Sequence, residues 1–175
     1  KISVKLEDRG FLSGLYRFGG DYEVGGYIKN GLFIPSKYTQ QWSTKKKKRS
    51  VEIIFSDGAL SELLLLPKEK ELPRIEYIGV IGYADPLTSF LNILMGKEKS
   101  KTIDGRRIYS MILTNKDSKK IKKILIDEYV NIWADHKKND LEYIEFIQKD
   151  NGKLFTMPTT LKIRHNGFSF NLEKN

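Results

Sequence analysis

Five Asx-Gly pairs punctuate this chain, and they constrain its fold more than any other feature. They are Asn30-Gly31, Asp57-Gly58, Asp104-Gly105, Asn151-Gly152 and Asn166-Gly167. Both central residues of a type I′ turn need a positive φ, which Asn, Asp and Gly adopt most readily, so such a pair between apolar runs is typical of a β-hairpin. Five pairs in 175 residues predict an antiparallel meander.

The flanks of these pairs support the prediction. Leu161 and Ile163 alternate with charged residues before Asn166-Gly167, and Phe168 and Phe170 alternate with polar residues after it. Alternation with a period of two predicts strands with one buried face and one wet face. The same reasoning gives thirteen strand candidates, of which we expect about eleven to form, with loops at 67–73, 97–101, 116–120 and 135–140. Strand candidates lie at 2–6, 22–28, 37–42, 51–55, 59–66, 76–81, 107–114, 121–126, 129–134, 143–148, 153–157, 161–164 and 168–172.

The stretch YADPLTSFLNILMG, residues 83–96, is of a different kind. Asp85 is a good helix N-cap, and Pro86 suits the first helical position because its missing N–H has no partner to lose there. Gly96 can end the helix in the left-handed conformation. The pattern predicts a helix from Asp85 to Met95.

This predicted helix is apolar nearly all round. Its only polar side chains after the cap are Thr88, Ser89 and Asn92, and none of them is charged. Such a helix has to be covered on almost every side. The apolar residues at helical spacing are Leu87, Phe90, Leu91 and Leu94, and Ile93 and Met95 widen the stripe.

A long meander and one apolar helix together predict the fold class. We expect a mainly β protein, one β-barrel-like domain over residues 1–175, in which an antiparallel curved sheet or half-open barrel surrounds the helix as its plug or lid. The alternative is a sandwich of two sheets with the helix across one open end.

Composition narrows the function classes. The chain has no cysteine, which excludes disulfides and thiolate metal sites, and its apolar runs are far shorter than the ~20 residues of a membrane-spanning helix. The net charge of +9 suggests an anionic partner. Only seven of the 31 basic residues are arginine, however, which disfavours nucleic acid as that partner.

One run concentrates the positive charge. Lys45, Lys46, Lys47, Lys48 and Arg49 follow each other between two strand candidates, where a solvated hairpin tip is the simplest interpretation. No aromatic residue interleaves the run to stack on bases, whereas a tryptophan and a tyrosine precede it. We expect peripheral membrane contact in preference to nucleic-acid binding.

Catalytic signals are weak. The two histidines, His136 and His165, do not have the spacing of a metal pair. The string GFLSG, residues 10–14, is not the G-x-S-x-G elbow of a hydrolase, and no glycine-rich loop opens a helix. We expect no enzymatic activity, no metal and no cofactor.

Two motifs carry a family resemblance. Asp85-Pro86-Leu87-Thr88, followed by Asp104-Gly105-Arg106-Arg107 with Tyr109, resembles the landmarks of the bacterial domain of unknown function 3108 family in its alphaproteobacterial form. Gly31, Pro35 and Tyr38 in GLFIPSKY and Pro158 in MPTTLKIR support it, so the resemblance spans most of the chain.

The resemblance implies a periplasmic envelope protein with a removed signal sequence, similar in outline to the lipoprotein-localisation carriers whose curved sheet holds lipid under a helical lid. No activity is established for the family. Family members often carry cysteines flanking the region between the two motifs, and this chain has none, so a role that needs a disulfide there is in doubt. The start at Lys1 fits a removed signal sequence and equally a cloning boundary.

Two functional hypotheses remain open. In the first, an apolar or lipid-like ligand lies against Phe90, Leu91, Leu94 and Met95, with Arg107 at the polar end of the cavity. One of the paired arginines can instead pair with Asp85 or Asp104. In the second hypothesis, the barrel core is solid and the protein is a structural or interaction subunit that binds an envelope partner through its surface.

Overall fold

The computed structural model describes residues 1–7, 18–115, 121–133, 141–147, 156–165 and 168–173. Within these ranges the chain forms one α-helix and twelve β-strands, so the predicted mainly β fold with a single short helix is confirmed. No helix in these ranges is long and apolar enough to cross a membrane. The elements are β1 (Ile2–Glu7), β2 (Phe18–Lys29), β3 (Leu32–Thr44), β4 (Lys48–Ser56), β5 (Ala59–Leu66), β6 (Tyr83–Ala84), α1 (Pro86–Leu94), β7 (Lys99–Ile103), β8 (Arg107–Asn115), β9 (Ile121–Asn131), β10 (Leu141–Ile147), β11 (Thr160–His165) and β12 (Phe168–Glu173).

Neighbouring strands follow the order of the chain throughout. β1 to β5 form a five-stranded antiparallel sheet, and β6 to β12 form a seven-stranded sheet in which only the short β6–β7 pair is parallel. An isolated bridge between Ala59 and Ile81 links β5 to the segment before β6. The sheets do not close into a barrel, and among the described residues β1 and β12 each have a neighbouring strand on one side only.

Three of the five predicted turns lie in the described residues, and each connects two neighbouring antiparallel strands. Asn30 and Asp57 both have a φ of 52° and are each followed by a glycine with positive φ, as type I′ turns require. Asp104-Gly105 lies in the turn between β7 and β8. Asn151-Gly152 and Asn166-Gly167 lie outside the described residues, although β11 and β12 pair on either side of the second.

The helix lies between the two sheets. Leu91 is fully buried in a cluster formed largely by the five-stranded sheet, and Phe90, Ile93 and Leu94 pack in a second cluster formed by the seven-stranded sheet. Gly96, with a φ of 103°, ends the helix as predicted, and the N–H of Lys97 donates to the carbonyl of Asn92 at 2.9 Å.

The strand predicted at 76–81 is wrong. This segment crosses between the sheets and has only an isolated bridge, because its hydrogen bonds go to a single residue of β5. The N–H of Leu60 donates to the carbonyl of Val80 at 3.1 Å, and the N–H of Gly79 donates to the carbonyl of Leu60 at 2.8 Å. The segment therefore joins the sheets without becoming a strand of either.

The loop predicted at 97–101 is also wrong, because β7 occupies Lys99–Ile103. Ser100 and Thr102 lie on the buried face of β7, where apolar residues are usual, and the next residue, Ile103, is also buried. The sequence therefore lacks the alternation of apolar and polar residues that identifies a strand. These hydroxyls are buried because they hydrogen-bond to the polar side of the helix, donating to Ser89 Oγ at 3.1 and 2.8 Å.

Two further strand predictions differ in detail. The candidates at 121–126 and 129–134 are one strand, β9, which passes through an irregularity near Glu128, whose φ is 58°. The strand predicted at 143–148 is observed as β10, which pairs with β9 on one side and β11 on the other. Most of 153–157 lies outside the described residues.

Candidate functional site

The two motifs of the family resemblance, at 85–88 and 104–109, lie on different elements of the fold. Asp85 caps the helix: its Oδ1 accepts a hydrogen bond from the N–H of Thr88 at 2.9 Å, and Pro86 follows in the first helical turn. The extended backbone of Asp85 and its side-chain bond satisfy a helix N–H that has no partner within the helix. The first motif is thus a helix start.

Asp85 is unusual for a cap because it is completely buried. Its second oxygen, Oδ2, and the Thr88 hydroxyl have no hydrogen-bond partner among the described residues. Burial raises the pKa of Asp85 from 3.8 to about 6, and its contacts with Thr88 oppose that shift. The capping carboxyl therefore changes charge near neutral pH.

The second motif shapes the turn between β7 and β8. Asp104 Oδ1 accepts hydrogen bonds from the N–H groups of Arg106 and Arg107, both at 2.8 Å. Gly105 has a φ of 96°, and a Cβ built on it would lie 2.7 Å from Cγ1 of Val51 in the five-stranded sheet. Only glycine fits at this point, where a turn of one sheet touches the other sheet.

The paired arginines have different partners. Arg106 Nε donates to Glu69 Oε1 at 2.6 Å, and both side chains are mostly buried. Arg107 Nη1 lies 3.9 Å from Asp104 Oδ2. Arg107 is therefore the arginine that pairs with Asp104, as predicted for one of the two. Arg106, in the turn before β8, binds the segment that follows β5.

The motif residues converge on two buried tyrosines. Burial raises the pKa of Tyr38 and of Tyr109 well above the usual value, and the carboxylates of Asp85 and Asp104 each raise both further. Arg107 acts in the opposite direction on Tyr109. Both carboxylates act on the pKa values of both tyrosines, and Arg107 acts on that of Tyr109, so these five residues are electrostatically coupled. We call Tyr38, Asp85, Asp104, Arg107 and Tyr109 the motif cluster.

Clusters of ionisable groups with shifted pKa values are typical of functional sites, and also of structural networks. The motif cluster contains two carboxyls, a guanidinium and two phenols. The Tyr38 hydroxyl donates to Gln40 Oε1 at 3.0 Å, and the ring of Tyr109 lies 5.3 Å from that of Tyr129. The side chains of Tyr38 and Tyr109 are thus both enclosed in the protein interior.

The predicted ligand-binding residues lie in packed surroundings. Phe90 and Leu94 contact the second core cluster, in which the rings of Phe90 and Phe146 meet edge to face at 5.6 Å. Leu91 is fully buried in the first cluster, and Met95 packs against its margin. Ligand binding by these residues stays a prediction, and the packing around them supports the alternative of a solid core.

A cavity of about 320 Å³ lies elsewhere, on the seven-stranded sheet. It is lined by residues of β9 to β12, including Ile121, Phe146, Leu161 and Lys162. Of the predicted ligand-binding residues, none lines it. The cavity and the helix are therefore separate features.

Within the described ranges, no group of three or more His, Cys, Asp or Glu side chains could hold a metal ion. His165 ends β11, and His136 and residues 10–14 lie outside those ranges.

Some important side chains were missed by sequence reasoning. Asn92 bonds to both backbone groups of Phe33: its Oδ1 accepts from the N–H at 2.8 Å, and its Nδ2 donates to the carbonyl at 3.0 Å. Glu69, the partner of Arg106, lies in the loop predicted at 67–73, for which the sequence indicates no specific role. An amide on an otherwise apolar helix was the available signal for Asn92, whereas no local pattern identifies Glu69.

Comparison of the chain with protein-family models, with curated proteins and with solved structures found no match. The resemblance to the domain of unknown function 3108 family therefore stays a prediction.

Proposed function

We propose that this chain is a non-enzymatic envelope protein with a solid core, which acts as a structural or interaction subunit through its surface. The observation that carries the proposal is the enclosure of the helix. All seven residues from Thr88 to Leu94 are buried, and the two core clusters occupy opposite sides of the helix. This packing around the helix supports a solid core.

The polar side of the helix supports the same conclusion. Ser89 joins the hydroxyls of β7, and Asn92 is bonded to the β3 backbone at Phe33. Buried polar groups need such partners, because an unpaired one costs about 1–3 kcal/mol. A helix held by specific bonds on its polar side and by packing on its apolar sides is a structural plug. A helix that acted as a lid would instead have one side facing the ligand site, without fixed contacts to the protein.

Leu94→Trp tests the solid core. In a filled core the larger ring forces neighbours apart, and we expect a loss of about 1–3 kcal/mol in the free energy of unfolding. A ligand cavity would accept the ring with little loss. The matched control is Leu72→Trp, since Leu72 is 87% exposed and the same substitution there should change stability little.

A second measurement identifies any ligand directly. Native mass spectrometry and solvent extraction of the purified full chain should detect no stoichiometric lipid. A co-purified lipid, together with a tolerated Leu94→Trp that displaces it, would establish the apolar-ligand function instead. The periplasmic location is supported by the resemblance alone, and fractionation of cells that express the full-length protein tests it.

A further inference from the structure

The β3–β4 hairpin ends in the basic run, which we call the basic tip (Lys45, Lys46, Lys47, Lys48 and Arg49). We propose that the basic tip and the adjoining outer face of the five-stranded sheet bind an anionic lipid surface. The inference rests on the proposed function, because it names a surface through which a solid protein would act.

The turn at the basic tip has a defined geometry. The N–H of Thr44 donates to the carbonyl of Lys47 at 2.7 Å, and the Thr44 hydroxyl accepts from the N–H groups of Lys46 and Lys47 at 3.4 and 3.1 Å. Residues 45–48 are all exposed. The turn therefore holds consecutive ammonium groups together in solvent at one end of the sheet.

Charge complementarity points to an anionic partner. The basic tip carries five cations in succession, in a chain whose net charge is +9. Two acidic side chains of this region are paired with other cations: Glu52 of β4 lies 3.0 Å from Lys37 Nζ, and Glu69 of the segment after β5 lies 2.6 Å from Arg106 Nε. Clustered lysines near a surface of anionic lipid are attracted by its negative potential.

Apolar side chains beside the basic tip favour lipid over other polyanions. Register places Lys48 and Ser50 on one face of β4, and Ser50 lies opposite Leu66 of β5. Leu66 is 59% exposed, and Leu64, two residues along the same face, is 54% exposed. Exposed leucines next to lysines suit the boundary between headgroups and acyl chains, where apolar area and charge both contribute to binding.

Nucleic acid fits this surface less well. Recognition of single strands uses aromatic rings on which bases stack, and duplex recognition favours arginine. The nearest indole, Trp42, is half-buried, and the guanidinium of Arg49 lies over its ring at 5.4 Å from the centroid. The aromatic face is thus already covered, and the remaining cations of the tip are lysines.

Vesicle co-sedimentation of the full chain tests the proposal. Vesicles of phosphatidylcholine are compared with vesicles that also contain phosphatidylglycerol. Each Lys near an anionic surface contributes roughly five-fold to partitioning, so Lys46→Gln, Lys47→Gln and Lys48→Gln combined should weaken binding to the anionic vesicles about a hundred-fold. Leu66→Ser should weaken it by roughly ten-fold while leaving the net charge unchanged.

The matched control removes the same charge elsewhere. Lys29→Gln, Lys101→Gln and Lys162→Gln combined should bind nearly as the wild type does. Lys29 ends β2 opposite Leu32, at the end of the β2–β3 hairpin that lies away from the tip, and the other two lie on the seven-stranded sheet. Far-ultraviolet circular dichroism verifies that each variant is folded.

Three outcomes would overturn the proposal. The first is a tip variant that binds as the wild type does, and the second is a control that loses as much as the tip variant. The third is wild-type protein that prefers duplex DNA to anionic vesicles and loses that preference in the tip variant. None of these depends on the core, so failure here is distinguishable from a tolerated Leu94→Trp.

Discussion

Asp85→Asn should stabilise the protein at neutral pH, although it removes a charge from a helix N-cap. Asn caps helices as well as Asp does, so the hydrogen bond from the Thr88 N–H to Oδ1 can persist. The substitution removes the ionisation of a completely buried carboxyl. Because burial raises the pKa of this group, its charged form is the less stable one in the fold.

The magnitude follows from the pKa change. The folded value is about 6 and the unfolded value is 3.8, so ionisation of Asp85 costs the folded state about 3 kcal/mol at pH 7. The contribution is fully favourable below pH 3.8 and is lost as the pH rises through about 6. The Asn amide brings an N–H group that also needs a partner, which reduces the expected gain at pH 7 to about 2 kcal/mol.

Urea unfolding monitored by tryptophan fluorescence between pH 4 and pH 8 measures the effect. The difference in unfolding free energy between Asp85→Asn and wild type should increase by about 2 kcal/mol across this range and level off above the folded pKa. Asp57→Asn is the matched control, because Asp57 occupies an exposed turn and Asn30 adopts the same φ in the equivalent turn. A pH-independent difference, or a variant less stable at pH 7, would show that the helix N-terminus stabilises the carboxylate more than burial destabilises it.

Three further substitutions test the contacts around the motif cluster, each by urea unfolding at neutral pH. Gly105→Ala should cost about 3 kcal/mol, since a methyl group at φ 96° meets a side chain of the other sheet at 2.7 Å; wild-type stability would refute the tight contact. Asn92→Ala should cost about 3 kcal/mol by leaving the buried N–H and carbonyl of Phe33 unpaired, and a loss below about 1 kcal/mol would mean that water replaces the amide. Glu69→Gln should cost about 2 kcal/mol, because Arg106 then keeps a mostly buried charge without its counter-ion, whereas an unchanged midpoint would make the pair a surface contact.

Local chemistry made the helix and the first two turns predictable. Asp85, Pro86 and Gly96 are start and stop signals that depend on neighbouring residues alone, and the structure has them at the expected positions. Asn30-Gly31 and Asp57-Gly58 likewise form their turns through backbone preferences of the residues themselves. The overall fold class followed from these elements, since a meander with one apolar helix has few ways to bury both.

Tertiary contacts made the rest unpredictable. β7 was missed because the buried Ser100 and Thr102 are polar, and their burial makes sense only when Ser89 of the helix faces them. The segment 76–81 alternates like a strand, yet the hydrogen-bond groups of β5 that meet it belong to one residue, Leu60. The spacing of apolar residues identifies the buried face of a strand or helix only where that face packs against apolar side chains.

The convergence of the motif cluster was equally beyond local reasoning. Asp85 and Asp104 are separated by the whole helix and β7, and Tyr38 comes from the other sheet. The sequence offered Asp85 as a cap and Asp104 as a turn residue, and both roles are present. What local patterns could not show is that the two carboxyls act on the same pair of tyrosines.

Among the motif residues, Asp85 is the one whose chemistry goes beyond its structural contacts. Gly105 fits against the five-stranded sheet and Arg106 binds the connector through Glu69, and these contacts are fully accounted for by assembly of the half-open barrel. Asp85 is different, because a neutral Asn or Ser would cap the helix without an ionisation cost. A buried carboxyl with a pKa of about 6, beside Tyr38 and Tyr109, is more than the cap requires. The pH dependence of Asp85→Asn therefore measures the ionisation cost that this buried carboxyl adds to its structural role as a helix cap.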